Sequence, residues 1–211
     1  MCYKKVKDYA FDSVLITHNH SDHISGLKVL LNQRDVTVYA NQMTAEATQV
    51  ATGADSEKFV SFENDQSFEI GPFEISPFPI PHDAADPVGY LIKAGGETYF
   101  HGTDIGYPIA SIGEKLSKAD YATLESNHDS VMLHTSGRPR ELKDRISGNH
   151  GHLSNDQAAE LVKTYCEKGK LKKLFLAHLS GECNAPHLAE KCMKEALEEA
   201  GLKDVELEII G

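Results

Sequence analysis

An apolar run of four residues, Val14-Leu15-Ile16-Thr17, leads straight into His18-Asn19-His20-Ser21-Asp22-His23. The run reads as a buried β-strand, so the polar cluster behind it sits at a strand end. Side chains alternate along a strand, which lets His18 and His20 turn to the same side and converge on one metal. The tight turn that follows can aim Asp22 and His23 at a second. Imidazole nitrogen and carboxylate oxygen are ligand types that suit Zn, Mn or Fe. A polar loop that happens to be rich in His is the plainer reading. Three imidazoles and a carboxylate packed into six residues count against it.

Three more ligand-type residues follow at apparent strand ends. His82 lies in Pro79-Ile80-Pro81-His82-Asp83, where a short strand breaks into a loop. Asp104 lies in Gly102-Thr103-Asp104-Ile105-Gly106, just past the strand-like Thr98-Tyr99-Phe100, and His178 closes Leu174-Phe175-Leu176-Ala177-His178. The H-x-H-x-D-H pattern behind a strand, with these three residues in this order, resembles the metallo-β-lactamase-fold hydrolases. The resemblance implies an αββα sandwich in which His18, His20 and His82 hold one metal and Asp22, His23 and His178 the other. Asp104 would bridge them, and Asp22 would also count as catalytic. Such a centre takes two divalent ions per chain, Zn or Mn in the first place and Fe as a third choice. Ions roughly 3.5–4 Å apart share a hydroxide that attacks the substrate. The true β-lactamases of the fold have no bridging Asp and often a Cys ligand, so this ligand set argues against lactam hydrolysis.

The length of 211 residues, 40% of them hydrophobic, suits a single domain spanning 1–211 with a full core. No apolar stretch approaches the roughly 20 residues of a membrane span, and Met1-Cys2-Tyr3-Lys4-Lys5 lacks the apolar core of a signal peptide. Cys2, Cys166, Cys183 and Cys192 show no zinc-type or redox spacing, which points to reduced thiols in a cytoplasmic protein. Cys183, close behind His178, reads as structural.

Helical periodicity is expected over 25–32 and 42–51 with a strand at 37–40 between them, then short strands and hairpins from 59 to 94 and a strand at 120–125. Ser154 and Gln157 form a capping-box pattern ahead of a helix carrying Ala158, Leu161, Val162, Tyr165 and Cys166 on one face. A second helix places Leu188, Cys192, Met193, Ala196, Leu197 and Ala200 together and closes near Gly201. A strand at 205–210 ends the pattern.

Members of the resembled family normally run through a strand pair, a glycine-rich turn and a further strand before the first metal motif. This chain reaches the motif after little more than Lys4-Lys5-Val6-Lys7. The expectation is therefore either a fragment or a first sheet short of strands, with an unpaired edge that a second copy could cover in a homodimer.

The stretches between the ligands carry a finer resemblance. Residues 82–90, Glu125-Ser126-Asn127-His128-Asp129, Gly151-His152-Leu153-Ser154-Asn155 and Ala177-His178-Leu179-Ser180 together are similar to the YycJ (WalJ) subgroup, in the nuclease branch of the fold. That resemblance implies a metal-dependent phosphodiesterase, with DNA exonuclease activity the usual assignment and nucleic acid as the partner. It also implies that His152, just ahead of the Ser154 helix, touches the scissile phosphate or protonates the leaving oxygen. Its place at a helix start favours an anion. Asn127, His128 and Ser154 are further candidates for the substrate pocket. His101, His134, His150 and His187 have no such support and read as surface or packing residues.

Charge works against a polyanionic partner, since the chain carries a formal −11 and non-specific DNA affinity comes mostly from phosphate neutralisation. Two divalent ions offset part of that where phosphate must sit. The basic residues are also bunched, as Arg138, Arg140, Lys143 and Arg145 and again as Lys168, Lys170, Lys172 and Lys173. A thioester or lactone hydrolase of glyoxalase-II type shares the seven ligands and stays open as an alternative, as does a binding protein that keeps metal for stability.

Overall fold

The computed structural model describes residues 9–64 and 66–210; Cys2 and the Lys4–Lys7 stretch lie outside them. Among the described residues ten strands form two sheets. Strands β1 (Ser13–Leu15), β2 (Thr37–Asn41) and β3 (Phe59–Phe62) make a parallel three-stranded sheet in that order. The second sheet has seven strands: β4 (Phe68–Ile70), β5 (Phe73–Pro79), β6 (Val88–Ala94), β7 (Glu97–Gly102), β8 (Tyr121–Glu125), β9 (Lys173–Ala177) and β10 (Glu206–Ile209). They lie in the order β10-β9-β8-β7-β6-β5-β4. The β4 to β7 segment is an antiparallel meander and β7 to β10 are parallel.

Alternation along the strands builds the layers. Val14 and Val38 face one way, into a core with Ile24, Leu27 and Leu30 from helices α1 (Ser21–Ile24) and α2 (Leu27–Gln33) and Ala45 from α3 (Gln42–Thr52). Their neighbours Leu15 and Tyr39 face the other way, onto Ile75, Tyr90 and Ile92 of the large sheet. The far face of that sheet offers Leu91, Phe100, Ala122, Leu124, Leu174 and Leu176 to helices α4 (Ala110–Leu116), α7 (Asn155–Tyr165) and α8 (Pro186–Glu199). Period-two burial with helices on both outer surfaces is the expected αββα sandwich. Two short helices, α5 (Ser130–Thr135) and α6 (Arg140–Ile146), fill the long β8–α7 connection.

The expected helix over 25–32 starts two residues later, at Leu27, and a separate one-turn helix over Ser21–Ile24, with Ser25 and Gly26 between the two, carries Asp22 and His23 in place of a bare turn. Gly26 is the weak link, since glycine is a poor helix former. Elsewhere the elements fall where the periodicity puts them. The Ser154 capping box is present in both directions.

Among the described residues β1 pairs only with β2, and a groove of about 1110 Å³ lined by Phe11, Leu15, Tyr39, Ile70 and Phe73 opens beside it. No helix among the described residues is long and apolar enough to cross a membrane. The two sheets are stitched together at the base of the His-rich loop, where Tyr90 Oη donates to Ile16 O at 2.6 Å and Val88 N to Thr17 O at 3.0 Å. Burial raises the Tyr90 phenol well above its ordinary range, so it stays a donor.

Candidate metal centre

Strands β5, β7, β8 and β9 point the same way, so their C-terminal ends line one edge of the large sheet. The end of β1 faces that edge through the contacts just described. His18, His20, Asp22 and His23 come from β1, His82 from β5, Asp104 from β7, Glu125 from β8 and His178 from β9. Residues from five strands thus meet although they span most of the chain.

Ring orientation is set from behind. His18 Nδ1 bonds to Thr17 Oγ1 at 3.1 Å, His20 Nε2 donates to Asp83 O at 3.1 Å, and His82 Nδ1 donates to Gly151 O at 2.9 Å. Each leaves its other nitrogen turned inward. His82 Nε2 and His20 Nδ1 face each other at 3.2 Å, and His18 Nε2 is buried with no hydrogen bond. On the other side His178 Nδ1 donates to Glu125 Oε1 at 2.9 Å, which turns Nε2 towards Asp22 Oδ2 at 3.4 Å.

Asp104 lies between the two groups. Its Oδ1 is 3.6 Å from both His82 Nε2 and His178 Nε2, and its Oδ2 is 3.2 Å from His23 Nε2. Oδ2 is buried and makes no hydrogen bond in acceptable geometry. The sets His18/His20/His82, Asp22/His23/His178 and His18/His23/Asp104 each bring one donor atom per residue within 4.8 Å of the others. Inward lone pairs on several neutral rings repel unless a cation sits among them, so the donor set fits divalent metals.

Electrostatics agrees. Burial, then His23, lowers the His18 pKa to about 3, and burial also lowers that of His82, so both rings are neutral. Burial would lower His178 as well, but Asp22, Glu125 and Asp104 outweigh it and push it to about 10. Asp22 is held below the carboxylate range, first by its bond to His178. Burial would raise Asp104, yet His23 and His178 bring it down.

Backbone strain marks two of the seven positions. Asp104 has φ 60° and His178 φ 58°, both left-handed. Asp and His tolerate that region better than most residues, and strain of this kind gathers at functional sites. Asn127 Nδ2 donates to His178 O at 2.9 Å and helps hold the bend. Asn127 therefore lies behind His178.

His152 lies beside the cluster. Its Nδ1 donates to Glu125 Oε1 at 2.8 Å, and its ring centre lies 5.1 Å from that of His82 and 5.2 Å from that of His178. The start of α7 has few free N–H groups left for an anion. Leu153 N already donates to Glu125 Oε2, Asn155 N to His128 O, and Ser154 N and Gln157 N are used in the capping box. Ser154 is buried and serves the helix end. His128 is buried, close enough to Glu125 and His152 to feel both.

Glu125 is the residue that motif reasoning passed over. It is fully buried and accepts four hydrogen bonds: from His152 and His178 at Oε1, and from Ile105 N and Leu153 N at Oε2. Burial alone would raise its pKa, but the two rings hold it down. A carboxylate closing the otherwise apolar strand Tyr121–Glu125 was the available signal. His101, read as a packing residue, lies on β7 close enough to His23 and Asp104 to feel both; burial, then His23, draws its pKa to about 4.

The basic runs separate in space. Lys170, Lys172 and Lys173 sit at the start of β9, opposite His178, and pair with Asp120, Glu97, Glu206 and Glu208. Arg145 forms a two-pronged bond to Asp83 at 2.6 and 3.0 Å, tying α6 to the His82 loop. Arg138, Arg140 and Lys143 line a separate cavity next to His128.

Comparison with known proteins adds the following. The family model of the beta-lactamase superfamily domain matches residues 4–178. The exodeoxyribonuclease WalJ of Streptococcus pneumoniae is 34% identical over 195 residues, covering 90% of this chain and 72% of that protein. The exodeoxyribonuclease YycJ of Bacillus anthracis is 35% identical over 190 residues, covering 89% and 71%. Among solved structures, the metallo-beta-lactamase fold protein YhfI of Bacillus subtilis superposes with a TM-score of 0.74 at 21% identity, over 98% of this chain and 79% of that one.

Proposed function

Because this chain belongs to the beta-lactamase superfamily, on the branch of the WalJ and YycJ proteins, we propose that it is a metal-dependent phosphodiesterase that degrades DNA from an end. The observation that carries the reading is the convergence of seven inward-facing donors on a buried carboxylate, with His152 poised beside them. His18, His20 and His82 would hold one divalent ion, Asp22, His23 and His178 a second, and Asp104 would touch both. Zn and Mn suit this donor set best, with Fe also accepted. When bound, such ions acidify water towards neutral pH and neutralise charge on the phosphate.

The chain's own residues do the rest. Glu125 fixes the His152 and His178 rings by accepting from both Nδ1 atoms, so His152 presents Nε2 to the substrate. From there it can hold a proton and give it to the leaving oxygen. Asp104, between the two groups, and Asp22 keep the cluster anionic. The Arg145–Asp83 pair holds the His82 loop closed against residues 149–151, which limits water at that side. A DNA substrate agrees with a cytoplasmic setting, which the unpaired Cys166, Cys183 and Cys192 also support.

The test uses end-labelled DNA and RNA with protein loaded with Zn²⁺ or Mn²⁺. Stepwise shortening of DNA is expected, abolished by Asp104→Ala. A fully loaded protein that leaves both nucleic acids intact and turns over S-lactoylglutathione would replace this reading with thioester hydrolysis.

A further inference from the structure

Helices α5 and α6 enclose a cavity of about 580 Å³ beside the metal centre, lined by His128, Ser130, His134, Arg138, Arg140 and Lys143 among others. In a chain of net charge −11, this wall carries three cationic side chains against the single carboxylate of Asp144. Their present partners are weak ones. Arg140 pairs with Asp144 at 3.5 Å with both side chains largely exposed, Arg138 Nε donates to the exposed Glu182 at 3.1 Å, and Lys143 Nζ donates to His134 O at 2.7 Å. Exposed pairs of this kind contribute little and exchange readily. Each guanidinium and the ammonium also have more donors than these bonds use.

A second feature points to a ligand. His128 lines the same cavity at only 3% exposure, and its Nδ1 is buried without a hydrogen-bond partner. A buried imidazole nitrogen left unpaired is costly, and native folds keep few of them. Each orphan calls for an explanation, such as a group that binds there. Three cations around a cavity that ends on an unpartnered imidazole suit a tetrahedral oxyanion.

The cavity is continuous with the proposed catalytic machinery along the chain. His128 follows Asn127, which holds the His178 carbonyl. Helix α6 runs through residues 147–151 directly into His152.

We propose that this cavity binds a second phosphate of the nucleic-acid strand, separate from the one being hydrolysed, and so sets the register of the strand in the metal centre. The proposal rests on the phosphodiesterase reading above. A terminal phosphomonoester and an internal phosphodiester offer the same oxyanion, received by Arg138, Arg140 and Lys143 in the cavity that His128 helps to line. The site also places positive charge where an acidic protein needs it to hold a polyanion.

The experiment compares metal-loaded wild type with Arg140→Glu, at an exposed position, and Lys143→Glu, at a half-buried one. Substrates are oligodeoxynucleotides with a 5′-phosphate, a 3′-phosphate or hydroxyls at both ends, and bis(p-nitrophenyl) phosphate, which has only one phosphate. Each variant is expected to raise KM on strands about tenfold and to lower the slope of log KM against log salt by about 1. Turnover of the small diester stays at wild-type level. If the loss is confined to strands bearing one terminal phosphate, the occupant is that phosphomonoester; an equal loss on all strands identifies an internal diester. Wild-type KM and salt slope in both variants on every strand would overturn the proposal.

If wild type cleaves no strand, the phosphodiesterase reading fails separately. Fluorescence anisotropy with a phosphorothioate strand then decides the cavity alone. Binding weakened about tenfold in the variants sustains it, and equal binding refutes it.

Discussion

Glu125 Oε1 lies 2.9 Å from Nδ1 of His178 and accepts its N–H, and the same oxygen accepts a second N–H from His152 at 2.8 Å. One buried oxygen thereby fixes the tautomer of two rings that come from distant parts of the chain. In Glu125→Gln, an amide NH₂ must replace one of two acceptor oxygens, each already engaged by N–H donors. Loss of such support behind a ligand typically lowers metal affinity 10- to 100-fold. The variant is expected to release metal at chelator concentrations at least tenfold below those that strip wild type, read by metal analysis after dialysis.

Metal uptake should release a proton from His178. Its pKa in the metal-free fold is raised to about 10, so the ring is protonated at pH 7 and must be discharged before Nε2 can bind a cation. His18 and His82, held neutral, release none. Apparent affinity therefore climbs as pH goes from 6.5 to 8.5. Calorimetry in buffers of different ionisation enthalpy measures the protons released; pH-independent affinity would contradict the arrangement.

Gly151 has no room for a side chain, because a Cβ there would overlap the carbonyl oxygens of Arg145 and Ile146. Its own carbonyl holds His82 Nδ1, and His152 is next in the chain. Gly151→Ala should destabilise by about 1–3 kcal/mol through overpacking and cut activity more deeply than that loss alone would. Gly137, where a Cβ meets nothing within 4 Å, provides the contrast. Gly137→Ala should leave both thermal midpoint and activity close to wild type.

Asp120 lies at the opposite end of the sheet and tests the fold apart from the chemistry. Burial would raise its pKa, but Lys170 at 2.7 Å, Thr98 N at 2.9 Å and Lys172 at 3.4 Å bring it down. A depressed carboxylate adds stability above its unfolded pKa, near 3.9, and loses it as pH falls through the lower folded value. Asp120→Asn should thus be about 1 kcal/mol less stable at pH 7, with the gap closing below about pH 4. Urea unfolding at pH 7, 5 and 3 checks both the size and the direction.

Much of the centre was legible because its signals are local. His18 to His23 announce themselves within six residues, and His82, Asp104 and His178 each close a short apolar run. The capping box at Ser154 is equally local. Glu125 was not legible, because its role follows from β8 lying between β7 and β9, a matter of sheet order. Helices α5 and α6 span six and seven residues, too short for a periodic pattern. The basic residues looked alike in sequence, yet Arg145 is locked to Asp83, the lysines near β9 neutralise acids far from the centre, and only Arg138, Arg140 and Lys143 line the cavity beside it.

The left-handed backbone at Asp104 and His178 has a consequence for how such a protein can be improved. Glycine relieves strain of this kind, which costs on the order of 1 kcal/mol or more per residue, but it removes the ligand with it. It also strips the contacts Asp104 makes with His23, His82 and His178, and those His178 makes with Glu125 and Asp22, so the strain cannot be removed apart from the chemistry it serves. Engineering for endurance has to begin elsewhere, on surfaces and loops where firmness and chemistry do not compete for the same residue.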